Sequence, residues 1–263
     1  MVTAAEIRRI VLEQSKRANV GHIGSALSIA DIIAALYGQV LVDLEPSDPQ
    51  RDRFVLSKGH AALALYAALY LRGWITQDSL NSYCADASLL GVHPDHELHG
   101  VDFSTGSLGH GLSIAAGAAL AARLQHSPRR VFALVSDAEC NEGSLWEAVM
   151  SAAHRHLSNL VAIVDLNGQQ ALGYTDEVLS MTPMGERWRA FGWDVLEVDG
   201  HDVDLISRRI AQLDTRNGPP HVLIAHTTFG KGVSYMERKI KWHYWPMSDD
   251  EYRQAMNEVG ATA

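Results

Sequence analysis

Asp137 and Asn167 are the two residues of this sequence whose type and placement point most directly to chemistry. Asp137 follows the apolar run Val131-Phe132-Ala133-Leu134-Val135, and Asn167 follows Leu160-Val161-Ala162-Ile163-Val164. Both runs read as buried strands, and Leu145 to His156 between them has helical spacing, so the segment predicts a βαβ unit with parallel strands. Both oxygen side chains then emerge at one sheet edge, where open α/β folds bind ligands. A carboxylate and an amide oxygen suit Mg²⁺, which completes its octahedron with phosphate oxygens and water. The pair reads as a metal-bridged diphosphate site. The competing reading is that Asp and Asn simply cap the turns that follow the strands.

The elements that position this pair are legible in outline. Thr3 to Asn19 is an amphipathic helix, Asp31 to Val40 looks helical, and Ala61 to Arg72 is an alanine- and leucine-rich helix. Asp52 to Ser57 reads as a short strand, Ala85 to Asp102 as a polar loop, and Ala115 to Leu124 as a helix opened by Gly106-Ser107-Leu108-Gly109-His110-Gly111. Trp193 to Val198 and His221 to His226 read as strands with a helix, Val203 to Leu213, between them. Strands alternating with helices predict an α/β fold: a doubly wound parallel sheet with helices on both faces.

The chain of 263 residues is 47% apolar, enough to bury one large core, and we expect a single domain over residues 1–263. A net charge of −9 argues against nucleic acid, and no run approaches the length of a membrane span. Cys84 and Cys140 form neither a metal pattern nor a disulfide framework, which suits a cytoplasmic location. Gly106 to Gly111 has the wrong spacing for a dinucleotide fingerprint; it suits either close backbone approach to a ring or anion, or a tight packing turn. The 13 histidines are scattered singly.

Six ordered motifs carry a resemblance to a known family. Asn19 to Ser25, Arg51 to His60, Gly91 to Asp95, Thr105 to Gly111, Ser136 to Gly143 and Asp165 to Gly168 resemble, in the right order, the N-terminal diphosphate-binding half of transketolase. The resemblance covers nearly the whole chain. It implies the thiamine-diphosphate-binding fold of the PP type, with thiamine diphosphate and Mg²⁺, or Ca²⁺ or Mn²⁺, as cofactors. It also implies transfer of a two-carbon ketol unit from a ketose or ketose phosphate to an aldose, through a carbanion-enamine on the cofactor.

Carried onto this sequence, the resemblance makes Asp137, Asn167 and the Gln169 backbone carbonyl the metal ligands. His60, Gly106, Leu108, Asp137, Ala138, Glu139, Asn167, Ala171 and His243 would contact the cofactor. Ala138 stands where the family usually has glycine, a sign of non-standard backbone. His22 and His93 would hold the ketose near its carbonyl, and His243 would assist proton transfer, tasks suited to imidazole near neutral pH. His126, His154, His156, His201 and His221 read as surface or core residues. Glu142 and Glu147 resemble acidic residues of the family's dimer interface; for Glu142 a helix N-terminal charge is an equal reading.

A complete transketolase is more than twice this length. The resemblance therefore places the pyrimidine-binding and C-terminal domains on a partner chain, in an α₂β₂ heterotetramer. Departures from the family occur at Ser107, His110 and Tyr244-Trp245, whose rings either line the pocket or anchor the partner. Two alternatives stand beside transketolase: another thiamine-diphosphate C–C bond enzyme (a deoxy-ketose synthase or 2-oxo-acid enzyme), and a non-catalytic scaffold.

Overall fold

The structure, a computed structural model, describes residues 2–41 and 45–261. Its strands are β1 (Arg53–Leu56), β2 (Val131–Ser136), β3 (Leu160–Leu166), β4 (Gln169–Gln170), β5 (Gly173–Tyr174), β6 (Asp194–Asp199) and β7 (His221–His226). Its helices are α1 (Ala4–Ala18), α2 (Ile23–Ser28), α3 (Ala30–Ala35), α4 (Ala62–Leu71), α5 (Gln77–Asn81), α6 (Gly111–Leu124), α7 (Gly143–His154), α8 (Thr175–Val178), α9 (Met184–Ala190), α10 (Val203–Ala211) and α11 (Asp249–Ala261). Five strands form one wholly parallel sheet in the order β1-β2-β3-β7-β6.

Alternating side chains of the central strands feed two cores. Phe132, Leu134, Val161, Ile163 and Leu223 face α1 to α4, α10 and α11. Val131, Ala133, Val135, Ala162, Val164, Val222 and Ile224 face α6, α7 and α9. Burial on both faces explains why these strands read as continuous apolar runs rather than as alternation.

The registers Ser136↔Asp165 and Leu166↔His226 bring the C-terminal ends of β2, β3 and β7 level. The strand ends therefore present Asp137, Asn167 and Thr227 along one edge, as the βαβ reading expects.

Several elements differ from the sequence reading. The helix expected over Asp31 to Val40 is α-helical only to Ala35 and then widens into a π-turn, Leu36–Val40. The glycine-rich Gly21 to Ser25 runs into α2. Here Gly24 is required by packing: a Cβ would lie 2.1 Å from the Phe229 ring. The small β4–β5 hairpin, α9 and α11 carry too little periodicity, or too mixed a composition, to stand out in the sequence. No helix among the described residues is long and apolar enough to cross a membrane.

Candidate active site

Asp137 ends β2 with only 2% of its surface exposed. Its Oδ1 accepts from the Ala138 N–H at 2.9 Å and its Oδ2 from the Gly168 N–H at 2.7 Å. These two bonds fix the carboxylate while leaving lone pairs for a cation. Ala138 opens a short 3₁₀ turn with ordinary backbone, and no positive φ occurs there. Both residues fit a phosphate-facing turn.

Asn167 is oriented on both sides. Its Nδ2 donates to Asp165 Oδ2 at 2.7 Å, and its Oδ1 accepts from the Gln169 N–H at 2.9 Å. Only an amide in this orientation satisfies both neighbours, which fixes its oxygen toward the Gln169 N–H. Gln169 is buried, with both amide atoms of its side chain unpartnered.

Beneath this loop lies a pair that sequence alone does not single out. Lys58 Nζ stands 2.5 Å from Asp165 Oδ2, and Asp165 also accepts from the Ser28 hydroxyl at 2.7 Å and from the Thr227 hydroxyl. Burial raises the Asp165 carboxyl, but Lys58 and these hydroxyls outweigh it and hold it below its usual range. Burial first, and the neighbouring Asp165 charge second, push Asp137 up to about 7. Among the described residues, Asp137, Asp165 and Glu139 are buried carboxylates, and Lys58 is the buried ammonium among them. A divalent cation at Asp137 supplies the missing compensation, so the donor set fits Mg²⁺ bridged to a diphosphate.

The histidines form a wall of their own. His22, His60 and His243 have ring centroids 5.5–5.9 Å apart. His22 adopts a left-handed conformation, and its N–H donates to the His243 carbonyl at 3.2 Å. His60 Nε2 lies 3.1 Å from the Ser25 hydroxyl. His93 is exposed, and its ring packs against Gly106. Its backbone is held by the Tyr66 hydroxyl, which bonds the Gly91 and His93 carbonyls at 3.1 and 3.0 Å.

Desolvation lowers all three rings of this wall. His243 falls to about 4, with Lys58 and His22 adding to the effect. His60 is held well below its usual value by burial and Lys58. His22 is lowered by burial and His93. Neutral imidazoles result, able to donate or accept toward hydroxyls and phosphate oxygens. The Nδ1 atoms of His22 and His243 are buried with no partner, two orphaned polar atoms that a bound group would satisfy.

The Gly106–Gly111 turn meets the Glu139 carboxylate through the Gly109 N–H and the His93 ring at Gly106. Gly106 adopts φ 155° and Leu108 is exposed. Ala171 is exposed at the β4–β5 turn, where its carbonyl accepts from the Tyr244 hydroxyl at 2.8 Å. Tyr244 therefore packs against His243 and straps this turn, while Trp245 is exposed. Glu142 and Glu147 are exposed, and Glu142 makes no capping hydrogen bond with its side chain.

Glu139 is wholly buried, and its carboxylate is taken up by Ser57, Gly109 and Ser136. A cavity of about 600 Å³ touches Asp137, Asn167 and Gly168 from the α9 side of the sheet, without the histidines. The orphaned ring nitrogens of His22 and His243 lie outside this cavity's lining.

Oxygen donors at adjacent parallel strand ends, together with an imidazole cluster, mark a class of cofactor-binding α/β proteins. Residues 2–263 match the family described as "Transketolase, thiamine diphosphate binding domain", and the chain belongs to that family. It is 42% identical over 254 residues to one of the subunits of the apulose-4-phosphate transketolase of Phocaeicola vulgatus, spanning 96% of this chain and 90% of that one. It is 39% identical over 257 residues to the 6-deoxy-6-sulfo-D-fructose transketolase subunit SqwG of a Clostridium species, spanning 96% and 92%. The crystal structure of transketolase from Campylobacter jejuni superposes with a TM-score of 0.91 at 29% identity, over 98% of this chain and 42% of that one. The chain thus spans about two-fifths of the solved transketolase.

Proposed function

We propose that this chain is the diphosphate-binding subunit of a two-subunit transketolase, a glycolaldehyde transferase completed by a partner that carries the pyrimidine-binding domain. The observation that supports this reading is the hydrogen-bonded Asp137–Asn167 donor pair at the strand ends, together with the His22–His60–His243 cluster and its orphaned ring nitrogens. Near-full-length matches to two proteins named as transketolase subunits support the division into two chains. We place the assembly, as α₂β₂, in the cytoplasm; the two cysteines are free. Glu142 and Glu147 then lie between paired subunits.

Thiamine diphosphate, when bound, would supply a nucleophilic thiazolium carbon and a cationic ring that acts as the electron sink when the ketose C–C bond breaks. The chain's own residues bind, orient and move protons around it. Asp137, Asn167 and the Gln169 carbonyl would hold the cation, and through it the diphosphate. His60 and His243 would contact the diphosphate, and Gly106, Leu108 and Ala171 would lie against the cofactor. His22 and His93 hold the donor near its carbonyl. Neutral His243 accepts a hydroxyl proton during cleavage and returns it during addition.

Names of the relatives suggest the donor class: one acts on apulose-4-phosphate and another on 6-deoxy-6-sulfo-D-fructose. We infer a ketose bearing a phosphate or sulfonate as the donor here. The test is co-expression with the second subunit, followed by ketol transfer assays on phosphorylated and sulfonated ketoses. Transfer only with both chains supports the reading. Cofactor binding without transfer from any ketose would redirect it to a different thiamine diphosphate reaction, and no binding at all would favour a scaffold.

A further inference from the structure

Three segments of the active site, far apart in sequence, meet at one buried carboxylate. Glu139 Oε1 accepts from the Ser57 hydroxyl and from the Gly109 N–H at 2.9 Å; Oε2 accepts from the Ser136 N–H at 2.9 Å. The Glu139 N–H in turn donates to the Ser136 hydroxyl at 3.2 Å. Ser57 follows β1 and leads through Lys58 to His60. Gly109 belongs to the turn that carries Gly106 and Leu108. Ser136 immediately precedes Asp137.

The junction has no slack. A Cβ on Gly109 would lie 2.5 Å from the Glu142 Cβ, and one on Gly111 would lie 2.3 Å from the Ser57 hydroxyl. Ser144 also holds the Gly109 carbonyl at 3.2 Å, and Thr105 holds the Leu56 carbonyl at 2.6 Å. Glu139 is the group that touches all three segments at once. Its chemistry is specific too. Three donors converge on two oxygens, and an ionised carboxylate is acceptor-only. An amide would turn its NH₂ toward at least one of these donors and leave that donor unsatisfied.

We propose that Glu139 is a positioning residue for the cofactor site. It sets the spacing between the metal end at Asp137 and the Gly106–Leu108 turn against which the rest of the cofactor lies, without touching the cofactor itself. This rests on the thiamine diphosphate reading above. Residues behind metal ligands typically alter metal affinity by roughly 10–100-fold when removed. A spacing defect of this kind weakens cofactor binding and leaves turnover of the loaded enzyme nearly intact.

The test compares the wild-type complex with Glu139→Gln, both co-expressed with the second subunit. Thiamine diphosphate is titrated by calorimetry at fixed Mg²⁺, and amide exchange is followed at Gly109 and Ser136. The expected result is cofactor affinity lower by roughly 10–100-fold, faster exchange at both amides, and kcat at saturating cofactor within about twofold of wild type. Equal affinity in the two proteins overturns the proposal, as does a loss of kcat without loss of affinity. If wild type itself binds no cofactor, the functional reading fails rather than this inference alone. Should Glu139→Gln not fold, Ser57→Ala carries the same test: it removes one of the three links, and a smaller loss of affinity in the same direction is expected. An unchanged affinity in Ser57→Ala then overturns the proposal.

Discussion

The Lys58 ammonium and the Asp165 carboxylate form a 2.5 Å ion pair, 1% and 0% exposed, that underlies both walls of the active site. Asp165 orients the Asn167 amide, while Lys58 contributes to keeping His60 and His243 neutral. Removing one partner leaves an uncompensated buried charge, at a typical cost of about 3–5 kcal/mol. Lys58→Met is expected to lower unfolding free energy by about that amount in urea denaturation. Adding Asp165→Asn to Lys58→Met is expected to recover a large part of the loss, because the neutral amide no longer needs a cation.

His243 gives the fold an acid sensitivity. Its folded value, about 4, lies below the unfolded value near 6.5. A depressed group contributes stability that is fully present above the unfolded value and lost as pH falls through the folded one. The window is therefore from about pH 6.5 down to 4, with a loss of roughly 2–3 kcal/mol from this ring. Lys58, His22 and His60 face it and oppose its charging, and His60 titrates in the same direction. His243→Phe is expected to shrink the fall in urea midpoint between pH 7 and pH 4.5; an unchanged fall would show that His243 is not its source.

Tyr244 packs on the histidine cluster while staying 55% exposed. Its ring centroid is 5.5 Å from His243 and 6.4 Å from His22, while its hydroxyl holds the Ala171 carbonyl. Tyr244→Phe keeps the ring and removes the strap, worth about 1 kcal/mol. Proteolysis or exchange at the Leu172 turn is expected to rise about fivefold, with assembly of the two chains unchanged. Weaker assembly with no change at the turn would assign the ring to the partner instead.

Gly21 shows why the opening glycine–histidine motif is glycine-first. A Cβ there would lie 2.3 Å from the Tyr244 backbone carbonyl oxygen, and backbone cannot swing aside as a flexible side chain can. Gly21→Ala is expected to push the His243–Tyr244 segment off His22 and to destabilise the fold by about 1–3 kcal/mol. Thermal unfolding, together with the His22 ring resonances by NMR, checks both consequences.

What is legible in the sequence follows the physics of each element. Val131 to Val135 and Leu160 to Val164 are buried on both faces, so their continuous apolar runs announce strands and place Asp137 and Asn167 at one edge. The histidine wall is recognisable only through its motifs, since no periodicity links His22, His60 and His243. Lys58–Asp165 is silent in the sequence because the two residues are 107 positions apart and each looks ordinary in its own segment. Glu139 reads as a cofactor contact only through the family resemblance. The structure turns its carboxylate inward to a junction formed by residues that sequence spacing does not connect. The β4–β5 hairpin, two residues per strand, is too short for any pattern to register.

The central claim is that Asp137 and Asn167 hold a cation that binds the diphosphate. Its most direct test is calorimetric titration of thiamine diphosphate into the complex, with and without Mg²⁺, for wild type and Asp137→Ala. The account predicts that wild type binds the cofactor only with Mg²⁺, and that Asp137→Ala shows no Mg²⁺-dependent binding although it remains folded and assembled. Equal Mg²⁺-dependent affinity in the two proteins would contradict it.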